Sequence, residues 1–228
     1  MINTATAYSI VDDIGNEHFS ASLETPLRTD AFLKSDAEKI QIIAKHFKEI
    51  MFTLGLDLND DSLRGTPYRV AKMYVEEIFS GLNPKNKPCV ALFENKYQYN
   101  EMLIEKDITL YSNCEHHFVP IIGKAHVAYI SNGTVIGLSK INRLVQYYSN
   151  RPQVQERLTN QIAEGLKDAL GIDDVAVVID AVHLCVASRG IKDTNSSTVT
   201  AHYSGRFMNE DVKKEFLSLI NKIHLIAN

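Results

Sequence analysis

The first hydrophobic periodicity in the chain is helical, and it begins only after an irregular start. Residues 1–34 show no sustained pattern, which predicts an N-terminal arm with little regular structure. A capping-box pattern at 35–38 then opens one helix, and Thr66-Pro67 opens a second helix that we expect to end at Gly81. We therefore expect an N-terminal helical region over residues 35–88.

Beyond residue 88 the apolar period shortens to that of β-strands. Asn132-Gly133 lies between two such stretches, 125–130 and 134–137, and is a strong signal for a hairpin that pairs them. Residues 174–186 are apolar on both faces, which indicates a central strand. The other elements that we expect in a core domain over residues 89–228 are strands at 104–111 and 119–122, helices that begin near Ser139 and Arg151, and a C-terminal helix around 210–226.

The order of the predicted elements favours one fold class. Helices, strands, helices, a strand and a helix follow one another, which is typical of an α+β fold with a largely antiparallel sheet. The length of 228 residues allows one large domain, or a helical lead-in followed by a core domain. Hydrophobic residues make up 45% and charged residues 23% of the chain, which is the composition of an ordinary soluble globular protein.

Charge and cysteine usage narrow the class of protein further. A net charge of −4 gives no global basic field, so we expect no nucleic-acid partner, and any phosphate must bind a local cluster of Lys and Arg. The chain has no signal-peptide pattern and no apolar run of roughly 18 residues, so we expect no membrane span. Three cysteines are an odd number that fits a reducing cytoplasm, and Cys89 is predicted to be a buried apolar residue.

Two of the three cysteines lie beside histidines at spacings that can hold one metal ion. Cys114 and His117 form a C-x-x-H pair, which a single turn can aim at one point. His183 and Cys185 are two apart, so on a β-strand they would project from the same face. Thiolate and imidazole ligands together favour zinc over magnesium or calcium. The sequence therefore predicts a site for one soft metal ion.

Spacing alone leaves two interpretations of this cluster open. Four ligands would form a closed structural zinc site, whereas three would leave one coordination position for catalysis. We favour the catalytic interpretation, because the domain has enough apolar residues to fold without a structural metal. His116 also lies next to the ligands, and a neutral imidazole beside a zinc-bound water suits proton transfer near neutral pH.

Basic and hydroxyl side chains at a predicted helix start form a candidate anion site. Ser139, Lys140 and Arg143 lie near a helix N-terminus, where backbone N–H groups also attract negative charge. Arg189 directly follows the predicted metal-bearing strand, and Arg69 lies on the second helix. Each of these residues can bind phosphate, or can be a solvated charge on a helix or strand end.

A carboxylate at the start of the next helix can recognise a base. Glu156 can accept two parallel hydrogen bonds from the ring N–H and the exocyclic amine of a guanine, and Gln155 can contact a neighbouring edge. Acidic residues are also common at helix N-termini for purely structural reasons. The pair gains meaning only beside the metal and anion sites.

Taken together, these segments resemble the GTP cyclohydrolase I family. The resemblance runs over roughly residues 35–220 with the motifs in one order, so it is far more specific than any single pattern. It implies a tunnelling-fold α+β domain, an antiparallel sheet with helices on one face, and a preceding helical part. It also implies a homo-oligomer, a decamer of two pentamers with shared active sites. The stretches that carry the resemblance are 66–74, 114–118, 137–143, 151–159, 183–185 and 189–191.

The resemblance implies a specific reaction and a zinc cofactor. Members open the imidazole ring of the guanine of GTP by hydrolysis, release C8 as formate and form 7,8-dihydroneopterin triphosphate. This reaction is the first step of folate and tetrahydropterin biosynthesis. By the resemblance, Cys114, His117 and Cys185 hold the zinc and leave a fourth position for water, while His116 and His183 transfer protons.

The same resemblance assigns the substrate contacts. Gln155 and Glu156 lie on the ring that becomes the pterin. The triphosphate contacts, some of them from neighbouring subunits, are Ser139, Lys140, Arg143, Arg189 and Arg69.

Three other functions are alternatives. The first is a non-catalytic, zinc-stabilised purine-nucleotide-binding protein of the same fold, in which His116 or His183 could be replaced without loss of function. A nitrile reductase would need a nucleophilic cysteine outside the metal cluster, and only Cys89 is available. A zinc nucleobase deaminase would need a C-x-x-C motif, which the sequence lacks.

Overall fold

The computed structural model describes residues 22–221, so most of the predicted arm and the end of the predicted C-terminal helix lie outside the described residues. Helices and strands are numbered here in chain order. The helices are α1 (Asp36–Thr53), α2 (Thr66–Lys72), α3 (Leu138–Ser149), α4 (Gln155–Leu170), the one-turn α5 (Leu184–Ala187) and α6 (Glu210–Asn221). The strands are β1 (Leu92–Glu94), β2 (Met102–Cys114), β3 (Pro120–Ile130), β4 (Thr134–Ile136), β5 (Pro152–Gln153), β6 (Val175–His183) and β7 (Thr198–Tyr203).

The helical region begins with a complete capping box. The Ser35 hydroxyl accepts from the Glu38 N–H at 3.3 Å, and the Glu38 carboxylate accepts from the Ser35 N–H at 2.8 Å, so α1 begins where predicted. The second helix differs from the prediction, because α2 ends at Lys72 and the chain continues as a π-helix, Met73–Ile78, and short 3₁₀ turns. Apolar periodicity could not reveal this change, since it does not separate one helical type from another.

Gly81 joins the helical region to α3. A Cβ atom on this residue would lie 1.9 Å from the carbonyl oxygen of Tyr147, so only glycine allows the approach. The Gly81 N–H donates to the Asn150 carbonyl at 2.9 Å, and the Gly81 carbonyl accepts from Arg151 Nε at 2.8 Å. These contacts fix the helical region against the segment that connects α3 and β5.

Five strands form one sheet in the order β5-β2-β3-β6-β7. Neighbouring strands are antiparallel, except that the two-residue β5 pairs parallel to the end of β2. The predicted α+β class with a largely antiparallel sheet is therefore confirmed. At the start of β3, Pro120 pairs with Asn113 of β2 and Ile121 pairs with His183 of β6. The last residues of β2 and β6 consequently meet at one end of the sheet.

The hairpin predicted at Asn132-Gly133 is wrong in its pairing. The turn exists, with Gly133 in the left-handed region at φ +95°. However, β4 (Thr134–Ile136) pairs with β1 (Leu92–Glu94) in a separate two-stranded sheet. Both edges of β3 are already occupied by β2 and β6, so the chain after the turn has to pair elsewhere.

The main core lies between one face of the sheet and the helices α3 and α4. Alternate residues of β6, from Val175 to Ala181, point into this core with Leu158 and Ile162 of α4. A smaller cluster on the opposite face packs Ala176 and Val178 against Phe216 of α6. The long helices thus cover one face as the fold class requires, and α6 covers part of the other.

Three details depart from the sequence-based expectations. β6 ends at His183 instead of continuing to 186, because the chain turns into the one-turn helix α5. The edge strand β7 was not predicted from the pattern, since an edge strand that is largely exposed carries little apolar alternation. Cys89 is exposed and not buried. Among the described helices, none is both long and apolar enough to cross a membrane.

Candidate active site

Three predicted metal ligands converge where β2 and β6 end. Cys114 is the last residue of β2, His117 lies in the turn that follows, and Cys185 lies on α5. Their ligand atoms all lie within 4.8 Å of one another, and Cys114 Sγ is 3.8 Å from His117 Nδ1. In a tetrahedral zinc site such atoms are separated by roughly 3.5–3.8 Å, from bond lengths near 2.0–2.3 Å. The Cys114–His117 separation matches this range, and all three side chains lie close enough to approach one metal ion.

The turn that carries His117 is closed by its own backbone. The Phe118 N–H donates to the Cys114 carbonyl at 2.8 Å, and the Cys114 N–H donates to the Val119 carbonyl at 2.9 Å. Phe118 adopts φ +53°, a left-handed conformation that is rare for an aromatic residue. Its ring packs at 5.0 Å from that of Phe79, which follows the π-helix. The helical region thus supports the metal turn from outside.

The electrostatics of the two thiols favour a bound cation. Burial raises the pKa of the Cys185 thiol, and the neighbouring Cys114 raises this pKa further. The positive charge of Arg189 acts in the opposite direction and lowers the same pKa. Two thiolates at this distance repel each other unless a cation lies between them. The donor set of two thiols and one imidazole is therefore suited to a soft divalent ion.

His183 does not belong to the group of three ligands. Because β6 ends at His183, this residue and Cys185 do not share a strand face, and that expectation is wrong. Instead, His183 Nε2 lies 2.8 Å from Gln155 Oε1. Gln155 Nε2 donates to the carbonyls of Ile179 at 3.2 Å and Thr198 at 2.8 Å, which can only accept. The amide oxygen must face the ring, so His183 Nε2 is the donor and Nδ1 carries the lone pair.

Burial also determines the charge of His183. It lowers the pKa of this imidazole, and the nearby Glu156 carboxylate opposes the shift. The ring is therefore biased toward its neutral form near neutral pH. Gln155 is buried at the start of α4 while the next residue, Glu156, is exposed. The predicted base-reading carboxylate and the predicted proton carrier are thus close neighbours.

His116 lies on the exposed side of the metal turn. Its Nδ1 is 3.7 Å from Cys114 Sγ, and its ring centroid is 6.3 Å from that of His117. Glu115 Oε1 lies 3.9 Å from His116 Nε2. The structure therefore brings both predicted proton carriers next to the ligands, one half-buried and one exposed.

The predicted anion-binding residues are less concentrated. The cap of α3 is Gly137 and not Ser139, so Ser139 and Lys140 lie in the first turn of the helix. Arg143 is exposed and lines a cavity of about 500 Å³ between β2 and α3. Arg69 donates to the Ser62 carbonyl and to the Thr66 hydroxyl, each at 3.0 Å, within the helical region. Within residues 22–221, none of these four side chains belongs to the metal group.

Sequence reasoning missed one pair of residues beside the ligands. Glu115 in the metal turn forms a two-pronged ion pair with Arg157 of α4. Both residues lie inside motifs that were recognised for other reasons, and neither carried a signal of its own. The only hint was that a guanidinium occupies an inward-facing position of an amphipathic helix, where a partner is required.

Comparisons with known proteins agree with this geometry. A family model described as GTP cyclohydrolase I matches residues 43–221, which include every candidate site residue named above. The chain belongs to the GTP cyclohydrolase I family. A protein of Flavobacterium johnsoniae named GTP cyclohydrolase 1 is 61% identical over 210 residues, which cover 92% of this chain and 94% of that protein.

Other bacteria carry relatives of the same name with somewhat lower identity. The GTP cyclohydrolase 1 of Pectobacterium carotovorum is 56% identical, and one from Escherichia coli is 54% identical. Each alignment spans 199 residues, 87% of this chain and 90% of the relative. Membership of the GTP cyclohydrolase I family therefore rests on nearly the whole length of these chains, and the predicted family resemblance is confirmed.

Proposed function

We propose that this chain hydrolyses the imidazole ring of the guanine of GTP, releases C8 as formate and forms 7,8-dihydroneopterin triphosphate. Its family and the names of its relatives support the substrate and the class of reaction. The observation that carries the proposal is the convergence of Cys114, His117 and Cys185 beside a histidine that Gln155 holds in one tautomer. A closed structural site would not need such a histidine.

We infer that the bound metal is zinc. Two thiolates and one imidazole are ligands that zinc prefers, and three protein ligands are typical of catalytic zinc sites. Zinc held there would act as a Lewis acid and activate water for attack on the base. The protein itself supplies the orientation of the ligands and a nearby imidazole.

His183 and His116 are proposed to carry protons. The Nε2–H of His183 is held by Gln155, so its Nδ1 is the atom that can accept a proton from a reacting group. The lowered pKa of His183 keeps Nδ1 unprotonated near neutral pH. His116 is exposed next to the ligands and can exchange protons with solvent. Two imidazoles in different environments suit a reaction in which one group accepts and another donates.

The guanine is proposed to bind at the start of α4. The exposed Glu156 carboxylate can accept from the ring N–H and the exocyclic amine of the base. Gln155 Oε1 has a second lone pair besides the one that faces His183. This lone pair can accept a hydrogen bond from the guanine. The base would then lie beside the imidazole that transfers its protons.

The triphosphate is proposed to bind a set of residues contributed by more than one copy of the chain. The charge of Arg189 acts on the ligand Cys185, whereas Ser139, Lys140, Arg143 and Arg69 are spread over α3 and α2. Among residues 22–221, both outer strands of the sheet, β5 and β7, have one backbone edge without a partner strand. A homo-oligomer, proposed here as a decamer of two pentamers, would cover these edges and complete the anion site.

The test is to incubate zinc-loaded full-length protein with GTP and to measure formate and pterin fluorescence. We expect both products in equal amounts, and we expect a chelator to abolish them. Cys185→Ser should lose zinc and activity, while Cys89→Ser, which changes the exposed cysteine outside the group, should retain both. GTP binding without formate release by the zinc-loaded protein would contradict the proposal and favour the non-catalytic alternative.

A further inference from the structure

A carboxylate within the metal turn points away from the ligands and toward α4. Glu115 follows the ligand Cys114 directly, and its side chain meets the guanidinium of Arg157. Arg157 Nη1 donates to Glu115 Oε2 at 2.5 Å, and Arg157 Nη2 donates to Glu115 Oε1 at 3.3 Å. Two parallel bonds of this kind fix the angle of the carboxylate as well as its distance. The pair therefore constrains the orientation of the turn.

This pair is largely withdrawn from solvent. The Arg157 side chain is 3% exposed and that of Glu115 is 21% exposed, whereas in the ion pair of Arg206 with Asp174 the arginine is 50% exposed. A buried charge pair is screened little by water and tolerates little loss of geometry. The Glu115–Arg157 contact is thus stiff, unlike an ion pair at the surface.

Both members of the pair are held by further contacts. The Glu115 N–H donates to the Gln153 carbonyl of β5 at 3.0 Å, so backbone and side chain are fixed together. Arg157 Nε donates to the carbonyl of Ser22 at 2.7 Å, where the N-terminal arm crosses α4. Two residues further along the arm, Glu24 accepts from Gln161 of the same helix at 2.9 Å. Each of the three guanidinium nitrogens of Arg157 therefore donates to a defined acceptor.

We propose that Arg157, acting through Glu115, is a positioning residue that holds the metal turn in the geometry that the metal requires. The inference rests on the metal site of the proposed function, but not on the reaction itself. Cys114 and His117 flank Glu115 in sequence, so any rotation of the Glu115 backbone moves both ligand atoms. Groups that orient ligands in this way typically change metal affinity by 10- to 100-fold when they are altered.

The first test separates geometry from charge. Arg157→Lys keeps the positive charge but cannot make two parallel bonds, and Glu115→Gln keeps the shape but removes the negative charge. For both variants we expect zinc affinity, measured by competition with a chelator, to fall about 10- to 100-fold. We also expect the visible spectrum of the cobalt-loaded protein to change in Arg157→Lys, because thiolate–cobalt absorption reports ligand geometry.

The matched control is a more exposed arginine–carboxylate pair. Asp174 accepts from Arg206 Nε and also from the Arg206 backbone N–H, on the segments that precede β6 and α6, and Asp174→Asn and Arg206→Lys alter this contact. These variants should lower the free energy of unfolding at most modestly and leave zinc affinity and the cobalt spectrum unchanged. If Arg157→Lys and Glu115→Gln lose no more zinc affinity than the controls, the pair is merely structural and the inference is wrong.

A double-mutant cycle with Glu115→Gln and Arg157→Gln keeps the inference testable if one variant is poorly stable. A positioning unit predicts that the double variant binds zinc about as weakly as either single variant. Independent, multiplying losses would overturn the inference. Because these measurements use zinc or cobalt without GTP, they remain valid if formate release fails. In that case the proposed reaction is wrong and the positioning role is judged separately.

Discussion

The two halves of the candidate site differ in how far one chain builds them. On the metal side, short side chains converge within 4.8 Å and the adjacent His183 is held by Gln155. On the phosphate side, Lys140 and Arg143 lie on the first two turns of α3 with their charged ends at or near solvent. The metal side is therefore assembled within one chain, whereas the basic residues of the proposed phosphate side do not converge there.

Side-chain length explains this difference. A cysteine or histidine ligand has few rotatable bonds, so the backbone must place it accurately, as the closed turn of Cys114 to Phe118 does. Lysine and arginine reach further and can adapt to a phosphate after it arrives. The comparison teaches that changes on the metal side should affect chemistry and metal affinity, while changes on the phosphate side should affect substrate binding.

The largest expected effect is the loss of kcat in His183→Gln, a change on the metal side. Loss of the imidazole should lower kcat by about 10²- to 10⁴-fold, as is typical for a general acid–base residue. The protein should keep its zinc, because His183 is not in the ligand group. Steady-state kinetics with GTP and metal analysis of the same preparation measure both quantities.

His126→Gln is the matched control for this change. His126 is also partly buried and burial also lowers its pKa, but it lies on β3 and accepts from the Asp107 N–H through Nδ1. Glutamine preserves an acceptor there, so kcat should change little. Comparable losses of kcat in the two variants would show that a general disturbance of the sheet, and not proton transfer, explains the effect of His183→Gln.

A smaller effect is expected on the phosphate side. Lys140→Ala and Arg143→Ala should each raise KM for GTP by about 10- to 150-fold, since a hydrogen bond to a charged group contributes roughly 1.5–3 kcal/mol. The kcat should change far less, because these residues lie away from the reacting atoms. Lys124→Ala is the control. It removes a lysine of β3 that pairs with Asp107 of β2, and it should leave KM unchanged. If Lys140→Ala or Arg143→Ala lowered kcat at constant KM, the assignment of chemistry to the metal side and of substrate binding to the phosphate side would be wrong.

The metal side could be predicted well because its information is local. The C-x-x-H spacing of Cys114 and His117 requires only one turn, and any chain reversal that brings Cys185 near them completes the group. The direction of His183 was harder, because it depends on where β6 ends. Its contact with Gln155 depends also on β7, whose Thr198 carbonyl anchors the amide, and the sequence pattern did not predict that strand.

Non-local pairings account for the remaining differences. The partner of β4 could not be read from the Asn132-Gly133 turn, since it depends on which edges of β3 are already occupied. Glu115 and Arg157 lie in two separate motifs, and only the packing of α4 against the end of β2 reveals that they meet. Such contacts carry no periodic signal. Spacing and residue type thus indicate which metal-ligating side chains converge better than they indicate the contacts that support them.

The smallest expected effect concerns His202, a half-buried histidine outside both halves of the site. Its Nδ1 lies 2.9 Å from Asn160 Oδ1, and its buried Nε2 has no partner among the described residues. Burial lowers its pKa in the folded protein, Glu164 opposes this shift, and Lys167 adds to it. The folded state therefore binds the proton less readily than the unfolded state, whose pKa is about 6.5.

This sign predicts a pH dependence of stability and not of chemistry. The contribution of His202 is present above pH of about 6.5 and is lost as the pH falls from there through the lower folded pKa. His202→Gln should therefore lose less unfolding free energy than the parent protein between neutral and mildly acidic pH, as urea titrations at several pH values would measure. Zinc content and kcat should stay unchanged. If His202→Gln instead reduced kcat as much as His183→Gln, burial of an imidazole anywhere in this sheet would matter, and the special position of His183 beside the ligands would lose its support.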